Sequence, residues 1–204
     1  MPRDKTESHI RVVEAAKREF LEYGFADASM RRIAKAAGLT ASALYKHFSG
    51  KEEMFASLVE PVVSEFLEQY RTREAKDFAA IECPDPKKLL VDSTETQEIM
   101  AFIYDHLDAF RLLVSRSQGT KYERFVHEVA EMEERTTLRY MRKLIEKGIS
   151  VREVDRKEFH LLVTTNIEAI FQAVTHNFTR KEALHYAKTL DGFYLRGWKF
   201  LFGL

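Results

Sequence analysis

The chain has 204 residues, of which 45% are hydrophobic, so it is long and apolar enough to bury a sizeable core. Its 32 Lys and Arg residues balance its 32 Asp and Glu residues, which excludes a uniformly basic or acidic protein. It has only 8 glycines and 4 prolines, a scarcity that together with abundant helix-forming residues predicts an all-α fold.

The charge is unevenly distributed along the chain. Residues 1–52 hold 10 Lys and Arg against 7 Asp and Glu, whereas residues 53–204 hold 22 against 25. The N-terminal quarter is therefore basic and the remainder acidic, an asymmetry that favours an anionic partner for the N-terminal part.

The sequence predicts a cytoplasmic protein with no membrane partner. Cys83 is the single cysteine, so no intrachain disulfide is possible and we expect a reducing compartment. The opening residues, MPRDKTESH, lack the apolar core of a signal peptide, and no run of about 18 apolar residues is present to span a bilayer.

The N-terminal quarter is predicted to form three short helices. The first covers residues 8–23, where apolar side chains recur every three or four residues, and Gly24 ends it. Ser29 is a suitable N-cap for the second helix, which Gly38 ends after two or three turns. Thr40 then caps a very short third helix.

The rest of the chain is predicted to form six longer helices. A capping box of Ser49 and Glu52 opens a long fourth helix, and Pro61 inside that helix predicts a kink. The segment ECPDP at 82–86 breaks the helical pattern. The apolar pattern beyond it predicts helices near residues 86–103, 106–116, 120–147, 155–177 and 180–202. The sequence thus predicts nine helices and no strand.

The second and third helices have the spacing of a helix-turn-helix. Ala34, Gly38 and Leu44 lie at offsets of 0, 4 and 10 residues. A small residue at 34 lets the two helices cross closely, and a glycine at 38 provides the backbone conformation of the turn. Leu44 would then fill the angle between the two helices.

A helical wheel separates the third helix, roughly residues 41–47, into an anchoring arc and an outward arc. At 100° per residue, Leu44 and Phe48 share the anchoring arc. The outward arc holds Ala41, Ser42, Tyr45 and Lys46. Small outward residues let a helix enter the DNA major groove, and we expect Tyr45 and Lys46 to reach phosphates. Lys51 and Ser29, at the starts of two other helices, are further candidates for phosphate contacts.

These residues carry a family resemblance. Residues 8–55, including the text EAAKREFLEYGFADASMRRIAKAAGLTASALYKHFSGKEEMF, closely resemble the N-terminal domain of the TetR-type (TetR/AcrR) transcriptional regulators. The block L-Y-x-H-F followed by K-E-E is its most specific part. The resemblance implies a DNA-binding domain over residues 1–52 and a helical ligand-binding and dimerisation domain over residues 53–204. It also implies a homodimer that binds a palindromic operator and releases it when a small molecule enters the second domain.

The resemblance also assigns roles by position. The residues that correspond to groove-facing positions are Thr40, Ala41, Ser42 and Tyr45. Those that correspond to frequent phosphate contacts are Ser29, Tyr45, His47 and Lys51. Many relatives carry a longer polar residue in place of Ala41, so direct base readout falls to Thr40, Ser42 and Lys46. We therefore expect DNA shape and half-site spacing to supply part of the specificity.

The C-terminal body is predicted to hold a dimer interface and a ligand pocket. Apolar stripes on the last two helices predict an interface formed by Ile167, Ile170, Phe171, Val174, Leu190, Tyr194, Trp198 and Leu201. Packing within one chain is the alternative explanation of these stripes. The candidates for a pocket between the fourth and eighth helices are Phe66, Tyr70, Phe102, His106, Phe110, Tyr122, Tyr140 and His176. This mixture suggests an apolar, aromatic effector, with the fourth helix as the lever between effector and DNA.

Other functional classes are less well supported by the sequence. None of the motifs G-x-S-x-G, P-loop, H-E-x-x-H or G-x-G-x-x-G occurs, and Cys83 has no basic neighbour fixed by sequence. The seven histidines show no metal-ligand spacing. We therefore predict no enzyme activity, no cofactor and no metal site. A helical protein-binding adaptor with a degenerate helix-turn-helix, and an activator in place of a repressor, are the alternatives.

Overall fold

A computed structural model describes residues 5–82 and 94–204, and these ranges form nine α-helices and no strand. The helices are α1 (Lys5–Asp27), α2 (Met30–Ala36), α3 (Ala41–Leu44), α4 (Lys51–Ile81), α5 (Glu95–Asp105), α6 (Leu107–Ser115), α7 (Phe125–Glu146), α8 (Arg156–Thr175) and α9 (Arg180–Phe202). The all-α prediction is confirmed. Cys83, the prolines of ECPDP and the predicted helix start at residue 86 lie outside the described residues.

The first of two compact units contains α1–α3, α4 up to Glu65, and His106–Arg124. Its core is aromatic and aliphatic: Phe20 and Phe55 pack edge to face with ring centroids 5.2 Å apart. Ile33 and Leu44, from the two shortest helices, are completely buried. Such short helices gain most of their stability from this tertiary packing, because isolated helices of this length are unstable in water.

The sequence predicts that Gly24 ends the first helix, and in the structure Gly24 interrupts α1, which continues to Asp27. Its φ of 75° and ψ of 170° are non-helical, and a positive φ is unfavourable for residues that carry a Cβ. The chain therefore changes direction at Gly24, and the N–H of Phe25 donates a hydrogen bond of 2.9 Å to the carbonyl of Arg116. This bond ties the end of α1 to the residue that follows α6.

The second compact unit contains α4 from Phe66 onward together with α5, α7, α8 and α9. Helix α5 packs on α9, and α7 packs on α8. The buried Asp191 of α9 accepts hydrogen bonds of 3.0 Å from the backbone N–H of Thr96 and from the side-chain amide of Gln97. A carboxylate of α9 therefore caps the N-terminus of α5, where the helix dipole favours negative charge.

The start of α4 differs by one residue from the predicted capping box. The Ser49 hydroxyl and backbone N–H both donate to Glu53, at 2.6 Å, and not to Glu52. Because α4 starts at Lys51, Gly50 takes the N-cap position and Ser49 lies one residue before it, so these contacts do not form the predicted capping box. The hydrogen bond from the Ser49 hydroxyl lowers the pKa of Glu53 most, and the bond from the Ser49 backbone N–H lowers it further. Helix α4 runs on through Pro61 to Ile81.

Within residues 5–82 and 94–204, no helix combines the length and the apolar character that crossing a bilayer requires.

The predicted functional division into residues 1–52 and 53–204 stays a prediction, because the compactness of a segment does not assign a function to it.

We expect Ile33→Ala to lower the free energy of unfolding by about 2–5 kcal/mol, because it leaves a cavity at a completely buried position. Ile10→Ala is the matched control, because the side chain of Ile10 is 58% exposed, and it should change stability by less than about 0.5 kcal/mol. Urea denaturation followed by circular dichroism measures both. Equal losses in the two variants would contradict the assigned core.

Candidate nucleic-acid interface and ligand cavity

The turn between α2 and α3 has the geometry that the sequence predicts. Gly38 has a φ of 68°, and the N–H of Leu39 donates back to the carbonyl of Ala34 at 2.9 Å, which closes the end of α2. The hydroxyl of Thr40 then accepts a hydrogen bond of 3.1 Å from the N–H of Ala43 and caps α3. The two short helices are thereby held at a fixed angle, with Leu44 buried between them and the rest of the unit.

A buried carboxylate fixes α2 against α1. Oε1 of Glu19 accepts a 2.7 Å hydrogen bond from the Ser29 N–H and another of 2.7 Å from Nε of Arg32. Arg32 also donates to the carbonyl of Asp27 at 2.8 Å and lies over the ring of Tyr23, 4.2 Å from its centroid. Sequence reasoning missed this network, because residues 13 positions apart on two different helices share no periodic signal.

Helix α3 turns a polar, small-residue face to solvent. Leu44 and Phe48 are buried, as the helical wheel predicts. The residues exposed around α3 are Thr40, Ala41, Ser42, Tyr45 and Lys46. The side chain of Tyr45 is 53% exposed, so its phenol projects from the surface beside the ammonium of Lys46. This face can approach a DNA groove without rearrangement of the core.

Three other predicted DNA contacts are more enclosed. Nζ of Lys51 donates to the carbonyls of Ala26 and Ala28 at 2.9 and 3.3 Å and lies 4.6 Å from the ring centroid of Phe25. Its ammonium thus closes the connection between α1 and α2. His47 is half-buried, with its ring centroid 5.8 Å from that of His9. Ser29 is also half-buried, and its hydroxyl caps α2 by accepting from the Arg32 N–H.

A cavity of about 280 Å³ lies within the second unit. It is lined by residues of five helices: Asp77, Phe78, Glu95, Thr96, Glu133, Thr136, Thr137, Tyr140, Met141, Phe159, Val163, Asn166, Asp191, Tyr194, Leu195, Trp198 and Phe202. The cavity combines an aromatic wall with several carboxylates. Within the described chain, no group of three or more His, Cys, Asp or Glu side chains has a geometry that could hold a metal ion.

The predicted pocket residues are divided between several places. Tyr140 lines the cavity. Phe66, Tyr70 and Phe102 line a much smaller cleft of about 10 Å³, although the hydroxyl of Tyr70 donates to the cavity residue Glu133 at 2.9 Å. The other four lie elsewhere: His106, Phe110 and Tyr122 belong to the first unit, and His176 is the exposed C-cap of α8. Those aromatic positions gave no sequence signal that separates a core residue from a pocket residue.

The residues predicted for the dimer interface are largely enclosed within one chain. Ile167, Ile170, Phe171, Val174 and Leu190 are all buried, Tyr194 and Trp198 line the cavity, and Leu201 is half-buried. Apolar side chains on other faces of α8 and α9 are exposed instead. Leu161 is 65% exposed, and Phe193 and Phe200 are 68% and 77% exposed, next to the less exposed Leu162.

Glu133 has the most perturbed environment in the cavity wall. Burial, reinforced by the negative charge of Glu95, raises the pKa of Glu133 from its ordinary value of 4.5 to about 7. Hydrogen bonds from the hydroxyls of Tyr70 and Thr137, the latter 3.1 Å long, act in the opposite direction. Desolvation outweighs these hydrogen bonds, so ionising Glu133 in the folded protein costs free energy. A positive charge nearby would offset that cost.

Comparison with known proteins agrees with this geometry. The family described as bacterial regulatory proteins, tetR family, matches residues 12–58, which run from α1 through the helix-turn-helix into α4. This match covers the text on which the sequence resemblance rests.

Solved structures resemble the chain over nearly its whole length. The regulator PfmR from Thermus thermophilus has 22% identity over 89% of this chain and 94% of its own, with a TM-score of 0.53. The fatty acid degradation regulator FadR from Bacillus halodurans has 17% identity over 92% and 94%, with a TM-score of 0.58. MexZ, a repressor from Pseudomonas aeruginosa, has 18% identity over 97% and 99%, with a TM-score of 0.51. At these identities the likeness shows a common fold.

The short α2–α3 pair, its buried anchor and its exposed face have the geometry of a helix-turn-helix motif, the class of motif that reads a DNA major groove. The match over residues 12–58 shows that this segment is similar to the DNA-binding part of tetR family regulators, and the chain shares its fold with solved regulators such as PfmR. The resemblance recognised from the sequence over residues 8–55 is confirmed by this match.

The raised pKa of Glu133 predicts a pH-dependent effect of Glu133→Gln on stability. A carboxylate whose folded pKa is raised loses stability as pH rises from about 4.5 to about 7, since the buried group must ionise. The amide of glutamine does not ionise, so the melting temperature of Glu133→Gln relative to the unsubstituted protein should rise between pH 5 and pH 8. Differential scanning fluorimetry measures this. Glu128→Gln, an exposed position on the same helix, is the control and should show no such trend.

Proposed function

We propose that the protein is a repressor that binds a palindromic operator as a homodimer and releases it when a small molecule occupies the cavity of the second unit. A repressor must reach chromosomal DNA, so we propose that the protein acts in the cytoplasm. The observation that carries the proposal is the exposed face of α3, with small residues at Ala41 and Ser42 above the buried anchors Leu44 and Phe48.

The α3 face suits shallow base readout with strong backbone contacts. Ala41 offers a methyl group for a thymine methyl, while Thr40 and Ser42 offer short hydrogen-bonding groups. Tyr45 and Lys46 extend further and reach toward phosphates on the groove edge. Lys51 and Ser29 have backbone partners of their own, so we assign them first to positioning the motif and second to the phosphates. His47, half-buried beside His9, remains a proposed phosphate contact.

A homodimer follows from the small size of the reading surface. One helix as short as α3 contacts few base pairs, so a regulator of this kind gains affinity and specificity from two half-sites about 34 Å apart. We propose that the interface uses the outer faces of α8 and α9. Leu161 and Leu162 lie on α8, and Phe193 and Phe200, two turns apart, lie on one face of α9.

A glycine between the two phenylalanines supports this interface. Gly197 is exposed, and no atom lies within 4 Å of the position that its Cβ would occupy. A partner side chain can therefore pack into this gap between Phe193 and Phe200. The residues predicted from the sequence, such as Ile170 and Val174, would support the interface from beneath, as the core on which α8 and α9 rest.

Helix α4 is the proposed connection between effector and operator. Of the helices in the described ranges, it is the one that contributes to both compact units, since residues 51–65 belong to the first and 66–81 to the second. Lys51 at its start closes the α1–α2 connection, and Asp77 and Phe78 near its end line the cavity. A ligand that binds the released state better by about 1.4 kcal/mol would lower operator affinity tenfold. MexZ is a repressor, and repression is the mode that we propose here.

Lys46→Ala should weaken operator binding and reduce its salt dependence. A dimer carries two copies of Lys46, so the log–log slope of affinity against salt, expected at roughly −4 to −8, should become shallower by about 2. Fluorescence anisotropy with a duplex selected from a random-sequence pool measures both quantities between about 50 and 200 mM salt, the range over which phosphate contacts are most apparent.

The control for this experiment is Lys157→Ala, which removes an exposed lysine from the first turn of α8 in the second unit. It should leave affinity and slope unchanged. A flat salt profile of the unsubstituted protein would contradict DNA binding and favour the protein-binding adaptor. Equal effects of the two lysine variants would contradict the α3 interface.

Phe193→Glu should dissociate the homodimer. It places a charge at the centre of an apolar interface, and loss of such an anchor raises the dimer dissociation constant by roughly a hundredfold or more. Sedimentation equilibrium measures the constant, and an unchanged melting curve of the monomer verifies the fold. Lys188→Glu, an exposed position on another face of α9, is the charge control and should leave a dimer. A dimer that survives Phe193→Glu would place the interface elsewhere.

A further inference from the structure

The geometry points to an aromatic organic cation, such as a quaternary ammonium compound, as the class of ligand that the cavity of the second unit binds. This inference rests on the proposed function, in which that cavity holds the effector, and it specifies the effector's charge. The size, the aromatic surface and the charge of the cavity favour such a ligand.

The size of the cavity fits a small organic molecule. Its volume of about 280 Å³ lies near the lower end of the range for small-molecule sites, about 300–1,000 Å³. Residues of α4, α5, α7, α8 and α9 line it, so a ligand would contact several elements. A volume of this size suits a compact ligand with one or two rings.

One wall of the cavity is a continuous aromatic surface. Trp198 stacks on Tyr194 with ring centroids 6.1 Å apart, and on Phe202 at 6.2 Å. Phe159 meets the same indole edge to face at 5.8 Å. Indole is the strongest partner among side chains for a cation above a ring face. The wall therefore presents a continuous apolar, aromatic surface to a ligand.

A second pair of rings faces the same cavity from other helices. Phe78 of α4 and Tyr140 of α7 pack edge to face at 5.8 Å. The protein already places a cation against this pair, because the guanidinium of Arg139 lies 4.6 Å from the ring centroid of Phe78. Arg139 itself also pairs with Glu74 and is absent from the cavity lining as described.

The charged groups of the lining are all acidic. Asp77, Glu95, Glu133 and Asp191 line the cavity, and no Lys or Arg occurs among the described lining residues. Arg73 pairs with Glu95 at 3.0 Å, and its positive charge also acts on Asp77 and Glu133. Asp191 accepts hydrogen bonds from neutral donors, so the four carboxylates still leave a negative excess. A fatty acid or another organic anion would meet like charges here, and desolvating it would add a further cost. A cation would relieve the repulsion among these carboxylates.

Charge and shape are separated by comparing isosteres. Isothermal titration calorimetry with the full-length protein measures binding of benzyltrimethylammonium, of its uncharged carbon isostere neopentylbenzene, and of octanoate as an apolar anion. We expect the cation to bind at least roughly tenfold more tightly than the neutral isostere, and octanoate to bind most weakly. Equal or tighter binding of the neutral compound or of octanoate, or no binding of the cation at millimolar concentration, would overturn the inference.

Two variants locate the binding site. Glu133→Gln and Asp77→Asn should each weaken binding of the cation by roughly three- to tenfold while leaving binding of neopentylbenzene unchanged. Asp77 is exposed, so its variant tests the charge even if the more enclosed Glu133 proves necessary for folding. Glu128→Gln, outside the cavity on α7, is the matched control. Unchanged affinity for the cation in both cavity variants would overturn the assignment to this cavity.

The same samples distinguish failure of this inference from failure of the proposed function. Cation binding is measured without DNA, and operator release is measured separately by anisotropy. Tight cation binding without operator release supports the ligand class and contradicts the effector role. Operator binding together with preference for an anionic or neutral ligand overturns the ligand class and leaves the regulator intact.

Discussion

The hydrogen bonds to the Glu19 carboxylate are the interaction on which the recognition surface depends. A single oxygen of Glu19 accepts from the Ser29 backbone and from the Arg32 guanidinium, so the start of α2 is fixed on α1. The position of α2 then sets that of α3 through the glycine turn at residue 38. A buried carboxylate is costly to desolvate, and here the cost is offset by an ion pair and a backbone donor on the same oxygen. Removing one partner would leave charge unpaired at the base of the motif.

Two different kinds of chemistry are built on the same all-helical framework. In the first unit, the face proposed to contact DNA is small and polar, and its residues are exposed because Leu44 and Phe48 take the buried positions. In the second unit, the cavity is concave, aromatic and acidic. Helix α4 contributes residues to both units. Lys51 at its start closes the connection between α1 and α2, and Asp77 and Phe78 near its end line the cavity.

The sequence predicts the helix-turn-helix well and the C-terminal body less well, and the reason is physical. Local signals such as the Thr40 cap, the glycine turn and the wheel position of Leu44 act within a few residues, so they survive in the structure. The cavity depends on contacts between residues far apart in sequence, and Glu133 meets Tyr70 from 63 positions away. An apolar stripe on α8 or α9 likewise indicates burial but does not say against what. Ile170 and Val174 are buried within one chain, while Phe193 and Phe200 are the exposed residues.

Asp191 gives the cavity a direct link to secondary structure. Its carboxylate lines the cavity and at the same time accepts from the N–H of Thr96 in the first turn of α5. Any positive charge that draws electron density from this carboxylate weakens its hydrogen bond to the helix end. Binding of a cation in the cavity would then increase the rate of hydrogen exchange at the backbone amide of Thr96. The N-terminus of α5 can thus act as an intrinsic reporter of the cavity's electrostatic state, independent of any movement of a whole helix.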